Sequence, residues 1–238
     1  MPLDTIDDAQ RKAAKAAGWS YLVTFFIVVY VNFAIFARLI TNNAAETARN
    51  VLSHERLFRA GIAGFIVYCV GIVVLLTALY VILRPVSRGL ALLAALWRLV
   101  WVLAWLGVTF KLFEGLRFLS GSDYLQALEP QRLQALARLD FGSGYDYYYV
   151  GLLFNSLAST LCGYLWLKSR YVPRWLAVFG VVSSVWCVAC TVIFYIFPHF
   201  DNVVNLWWFD TPMAIFDIVL SVWLLVRGLR PSEQRKLG

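Results

Sequence analysis

Residues 60–83 read AGIAGFIVYCVGIVVLLTALYVIL, 24 consecutive positions without a charged side chain. As a helix this stretch is about 36 Å long, enough to cross the roughly 30 Å hydrocarbon core of a bilayer. A second apolar stretch, residues 90–113, follows after the turn RPVSRG at 84–89. Across all 238 residues, 61% are hydrophobic, 15% are charged, and the mean hydropathy is +0.69. These values exclude an ordinary soluble domain, where about a quarter of residues are charged.

Six apolar runs of this kind occur, so the sequence predicts an all-α, polytopic membrane bundle of six transmembrane helices. The last run is short, and we expect Asp210 to cap its helix with Pro212 in the first turn. Because no long soluble segment is left over, one integral membrane domain covers residues 1–238. The predicted spans are 19–40, 60–83, 90–113, 147–167, 173–197 and 211–226.

Basic residues divide unevenly between the connections of this six-span topology. The side that holds both termini carries 12 Lys and Arg, and the opposite side carries 8. The two short connections after the second and fourth spans are basic, so the positive-inside rule places both termini in the cytoplasm. The formal net charge of +7 therefore reports topology, and it does not form the basic stripe that nucleic-acid binding would need.

The predicted outer connections are amphipathic. Asn50–Arg59 is predicted to form a helix that lies in the membrane interface. Ser122–Leu139 alternates leucines with polar residues, and Pro130 is expected to divide it into two short helices. These segments predict short amphipathic helices on the outer face of the bundle.

Arg98 is the least expected residue in the chain, because an arginine deep in a span is costly unless it is paired. Asp217 lies at a similar depth, about 15 Å from its helix end against about 13 Å for Arg98. We therefore predict an intramembrane ion pair between them. The serines and threonine expected to complete its hydrogen bonds are Ser159, Thr160, Ser183, Ser184 and Ser221. The pair serves either as a lock between helices or as the polar floor of a cavity.

Further candidate residues are distributed over the spans and their outer ends, and several have a plainer structural alternative. Asp217 is the first candidate acid or base, followed by Glu114, Asp146 and Asp210. The candidate ligand-binding residues are Arg98, Trp97, Trp101, Asn155, Tyr148 and Asn32. Helix packing, amide bonds between helices and an interfacial aromatic belt are the alternatives for the tryptophans, asparagines and tyrosine.

Other chemistries find little support in the sequence. All four cysteines lie inside apolar runs, so no framework of loop disulfides is expected. The two histidines form no pair at metal-ligand spacing, and no phosphate-binding glycine loop occurs, so neither a metal nor a cofactor is predicted.

Several motifs resemble a known bacterial family. The most specific is the turn Arg84-Pro-Val-Ser-Arg-Gly89, and Gly163-Tyr-Leu165 and Ser169-Arg-Tyr-Val-Pro-Arg174 follow later. Together these motifs resemble domain-of-unknown-function family 4386, over roughly residues 18–229. The resemblance implies a six-helix protein of the bacterial inner membrane, and it supplies no reaction. It also implies a histidine where this chain has Ala158, and a carboxylate at Asp217.

These observations favour a membrane protein that binds a lipophilic small molecule in an outward-facing intramembrane pocket. One alternative is a membrane enzyme of the terpene cyclase or isomerase type, in which a carboxylate acts as general acid or base on an isoprenoid-like substrate. Another is a structural subunit of a membrane complex. The bilayer is the expected partner in all three, and the oligomeric state stays open.

Overall fold

The computed structural model describes residues 6–120 and 129–230. Within these ranges the chain folds into seven α-helices, six of which are long and apolar enough to cross a membrane. The predicted all-α, polytopic membrane fold is therefore confirmed. The helices are α1 (Asp8–Leu39), α2 (Ala44–Ser53), α3 (Glu55–Leu83), α4 (Arg88–Leu119), α5 (Pro130–Ser169), α6 (Arg174–Ile196) and α7 (Trp207–Val226), with a 3-10 turn at Pro198–Asn202.

Most spanning helices continue beyond the predicted apolar runs. The helix α1 begins at Asp8, well before the predicted start at Trp19, and α5 begins at Pro130 instead of Tyr147. Helices extend in this way because backbone hydrogen bonds do not stop where the hydrocarbon ends. The hydropathy pattern therefore located the spans and underestimated their lengths.

Pro130 does not divide a pair of short helices as the sequence suggested. It occupies the first position of α5, where the missing N–H of proline leaves no hydrogen bond unmade. Residues 130–139 consequently belong to the long helix that continues to Ser169. Of the rest of the predicted helical pair, residues 122–128 lie outside the described residues.

The amphipathic helix predicted at Asn50–Arg59 is shifted toward the N-terminus. The helix α2 begins after Asn43, whose Oδ1 accepts from the Glu46 amide at 3.0 Å. It ends at Ser53, because His54 leaves helical geometry at φ −125° and ψ 35°. The second half of the predicted segment forms the first turns of α3.

Asp210 does not cap α7, since that helix begins one turn earlier, at Trp207. Pro212 therefore lies inside the helix and cannot donate to the carbonyl four residues before it. That carbonyl belongs to Trp208, and it accepts from the Trp186 indole nitrogen of α6 at 2.9 Å. A bond from the neighbouring helix thus replaces the one that proline removes.

Two compact units can be distinguished within the chain, and α1, α3, α4 and α5 contribute a segment to each. Unit 1 comprises Met1–Val23, Gly71–Val102 and Gly151–Gly238, and unit 2 comprises Thr24–Val70 and Leu103–Val150. The prediction of one domain over the whole chain stays a prediction.

Unit 1 contains closely packed helices. At Gly180 of α6, a β-carbon would lie only 2.6 Å from the Phe216 ring of α7, so the glycine permits the close approach of these two helices. The buried side chain of Gln10 donates to the Ile82 carbonyl at 3.2 Å and to the Tyr171 hydroxyl at 3.3 Å. These contacts join α1 to the end of α3 and to the connection between α5 and α6.

Unit 2 is held together mainly by aromatic rings. Phe36 contacts Phe58 and Phe65 at centroid distances of 5.2 and 5.1 Å, and Phe65 contacts Trp105 at 4.8 Å. Phe141 of α5 lies 5.3 Å from Phe58 and closes the cluster. Tilted and edge-to-face pairs of this kind add stability beyond the area that they bury.

Candidate functional site

Arg98 lies in unit 1, on α4, with only 3% of its surface exposed. Its Nη2 donates to the Ser159 hydroxyl of α5 at 3.0 Å. The guanidinium cannot lose its proton, so it is a permanent positive charge inside the apolar unit. A charge buried in this way needs further partners.

Tyr21 of α1 is the partner that the sequence did not reveal. Its hydroxyl lies within hydrogen-bonding reach of both the Arg98 guanidinium and the Asp217 carboxylate. The Arg98 Cζ also lies 6.0 Å from the centroid of the Tyr21 ring. Nothing in the sequence distinguishes Tyr21, because the predicted span begins at Trp19 and tyrosines are common near a membrane interface. The true start at Asp8 places Tyr21 more than three turns inside the helix.

Asp217 of α7 faces this cluster without forming the direct ion pair that the sequence predicted. Among the described residues, no Arg98 nitrogen lies within 4.0 Å of an Asp217 oxygen. The two charges instead interact electrostatically and through the Tyr21 hydroxyl between them. The buried Oδ1 of Asp217 has no hydrogen-bond partner, an unusual state for a carboxylate oxygen.

Of the hydroxyl groups predicted to complete this network, only Ser159 contacts Arg98. Ser183 and Ser184 both donate to the Gly180 carbonyl, and Ser221 donates to the Ile218 carbonyl. Thr160 likewise donates within its own helix. Hydroxyls in helices readily bond to the preceding turn, which is why similar depth alone did not identify the partners.

A recess in unit 1 leads to Arg98 between α3 and α4. Its cavity volume is about 10 Å³, close to what one water molecule needs. The walls include Leu76 and Tyr80 of α3 and Ala91 and Ala95 of α4, and the polar lining residues are Arg98 and Cys162. The recess borders the turn at residues 84–87, on the side for which the charge pattern predicted the cytoplasm. It does not provide the outward opening that the sequence suggested.

The other candidate residues of unit 1 do not line this recess. Trp97 is half-buried and Trp101 is 5% exposed. Asn155 is 8% exposed, and its Oδ1 has no hydrogen-bond partner. Asp210 is half-buried near the start of α7. The structure thus joins Arg98 and Asp217 through Tyr21.

The candidate residues of unit 2 take part in local contacts. Glu114 is exposed and accepts from Lys111 at 2.7 Å, and Lys111 also contacts Asp140 of α5 at 3.1 Å. Asp146 is exposed. The Tyr148 ring packs edge-to-face on Trp105 at 5.8 Å. These contacts favour structural roles for Glu114 and Tyr148.

Asn32 lies in a π-helical segment of α1, Val31–Phe36. Its Nδ2 donates to the Val28 carbonyl at 2.8 Å, within the same helix. Wider π turns leave carbonyls without their usual partners, and a side-chain amide can supply the donor. This bond provides a structural reason for an asparagine in the span.

The chain is similar to an uncharacterized protein and matches one family. An uncharacterized protein of the archaeon Archaeoglobus fulgidus is 22% identical over 156 residues, which cover 66% of this chain and 76% of that protein. No solved structure matches the chain. The family described as "Domain of unknown function (DUF4386)" matches residues 16–228, which include all six spans except the first turns of α1. We conclude that this multi-pass membrane protein belongs to the DUF4386 family.

Proposed function

We propose that this protein binds a lipophilic small molecule from the bilayer, with the polar end of the ligand at Arg98. The observation that carries the proposal is a permanent, buried positive charge at a recess with apolar walls. An arginine in a membrane protein is a functional hypothesis by default, because a structural purpose seldom requires so costly a group.

The size of the recess limits how the ligand binds. Only a small polar group fits beside Arg98, so the apolar part of the molecule lies along the walls formed by α3 and α4. Leu76, Tyr80 and Ala95 are each partly exposed, which leaves this face open to a molecule approaching sideways. Ligand entry within the bilayer avoids transfer of the apolar part through water.

Blocking the recess without removing a charge tests the proposal. Ala95→Phe places a ring in the opening, and Leu96→Phe adds a ring at a 51% exposed neighbouring position as the matched control. Native mass spectrometry of gently solubilised protein then measures the bound lipophile. We expect wild type and Leu96→Phe to retain a stoichiometric ligand, and Ala95→Phe to lose about 90% of it, a weakening of about a hundredfold for a site that is nearly saturated in wild type.

Two results would overturn this proposal. One is equal retention of the ligand by Ala95→Phe and wild type. The other is recovery of bulk phospholipid alone from wild type, which would favour a structural subunit of a membrane complex.

A second candidate function rests on the Oδ1 of Asp217. A carboxylate oxygen without a partner, beside a tyrosine hydroxyl, can give or take a proton. Asp217 does not line the recess, so this candidate needs a substrate that binds at Asp217 itself. This arrangement favours an acid or base on an isoprenoid-like substrate. Incubation with isoprenoid lipids, followed by mass spectrometry of the products, should show turnover that Asp217→Asn abolishes while ligand retention persists. Absence of any product from wild type would eliminate this candidate.

A further inference from the structure

The electrostatic surroundings of Arg98 restrict the chemistry of the ligand. The described side chains that influence its guanidinium are Tyr21, Cys162, Asp217 and the hydrogen-bonded Ser159. Arg98 is permanently charged, and the ionised form of Asp217 is the negative charge that this set can supply without deprotonating a tyrosine or a thiol. With Asp217 in that form, the cluster is neutral as a whole before anything binds.

The polar groups that line the recess also determine whether a ligand atom there must donate or accept a hydrogen bond. Arg98 can donate through five N–H groups and cannot accept. The bonds from Arg98 to Ser159, Tyr21 and Cys162 leave other guanidinium N–H groups available. A ligand atom beside Arg98 must consequently be an acceptor.

A negatively charged ligand would disturb this balance. With Arg98 already offset by Asp217, an added anion would leave one uncompensated negative charge in a low-dielectric surrounding. An uncompensated charge of this kind is strongly unfavourable. A neutral oxygen satisfies the donors of Arg98 and adds no charge.

On the basis of the proposed function, we infer that the recess selects a neutral lipophile whose polar end is an oxygen acceptor, such as an ester or ketone carbonyl. Asp217 acts here as the residue that determines specificity, since it cancels the charge that would otherwise attract an anion. This assigns Asp217 a role at a distance from the ligand, because it does not line the recess.

A matched pair of probes tests this selectivity. A long-chain fatty-acid anion and its methyl ester share one chain and differ at the polar end. Their affinities can be compared by native mass spectrometry of the full protein in phosphatidylcholine nanodiscs. We expect wild type to bind the ester about tenfold more tightly than the anion.

Asp217→Asn leaves Arg98 as an uncompensated positive charge, so the preference should move toward the anion by about tenfold or more. Asp8→Asn, an exposed residue at the start of α1, is the control and should keep the wild-type preference. Tyr21→Phe keeps both charges, so it should also keep the preference for the ester.

The outcomes separate this inference from the proposed function. If both probes bind at the recess with equal affinity, or wild type prefers the anion, the inference is overturned while the proposed function survives. An unchanged preference in Asp217→Asn overturns it as well. If Ala95→Phe binds both probes as well as wild type does, the recess is not the binding site, and the proposed function itself fails.

Discussion

Replacing Tyr21 with phenylalanine should destabilise the protein by about 1–3 kcal/mol. The substitution removes the hydroxyl that interacts with Arg98 and Asp217 and keeps the ring that lies against Arg98. Hydrogen bonds to charged groups contribute about 1.5–3 kcal/mol in soluble proteins. Interhelical bonds in membranes average about 0.6 kcal/mol and reach about 1.7. The Tyr21 hydroxyl interacts with two groups, and two bonds of the strength found in membranes together give the expected loss of about 1–3 kcal/mol.

The assay is the free energy of unfolding, measured by titration with sodium dodecyl sulfate in mixed micelles. Tyr164→Phe is the matched control, because Tyr164 is 48% exposed, and its loss of a hydroxyl should change stability by less than about 0.5 kcal/mol. A double-mutant cycle of Tyr21→Phe with Asp217→Asn should give a coupling energy of at least about 0.5 kcal/mol. If Tyr21→Phe matches the control within about 0.3 kcal/mol, or the cycle shows no coupling, Tyr21 does not connect the two charges.

Two further substitutions test the packing of α6 and α7 by the same titration. Gly180→Ala brings a β-carbon to 2.6 Å from the Phe216 ring and should lower stability by about 1–3 kcal/mol, whereas Gly89→Ala meets nothing within 4 Å and should be neutral or stabilising. Equal effects of the two would contradict the close approach of the helices. Trp186→Phe should lower stability by about 1 kcal/mol, because it removes the donor to the carbonyl that proline leaves free. Pro212→Ala restores a backbone N–H that can bond to the Trp208 carbonyl. In a protein that carries Pro212→Ala, Trp186→Phe should therefore cost less stability. An equal loss of stability in both backgrounds would refute this role of Trp186.

Hydropathy was sufficient to locate the six spans, because the requirements for a membrane-spanning helix apply to each helix separately. In hydrocarbon each helix must satisfy its own backbone hydrogen bonds and expose apolar side chains, so residues 60–83 predict a span without reference to any other helix. The predicted helix ends were less accurate, because hydropathy reports only the apolar part of a helix. The extensions of α1 to Asp8 and of α5 to Pro130 contain charged and polar residues, so hydropathy gives no signal for them.

Part of the candidate site could also be anticipated. Arg98 and Asp217 stood out because a charge in an apolar run is costly wherever its partners lie. The sequence predicted that the two residues interact, but it predicted a direct ion pair. The structure has Tyr21 between them, and the sequence could not indicate this because an ordinary tyrosine near an expected membrane interface carries no signal of burial.

The sequence by itself determined that this protein is an all-α, multi-pass membrane protein with Arg98 and Asp217 deep inside two of its spans. Only the tertiary structure decided that Ser159, and not Ser183 or Ser184, meets the guanidinium, and that the recess borders the turn at 84–87. Mean hydropathy is a property of one helix. A contact between two side chains depends on how deep each helix lies in the bundle and on how each is rotated about its axis. Those relative positions come from the packing of side chains between helices, which no single segment encodes.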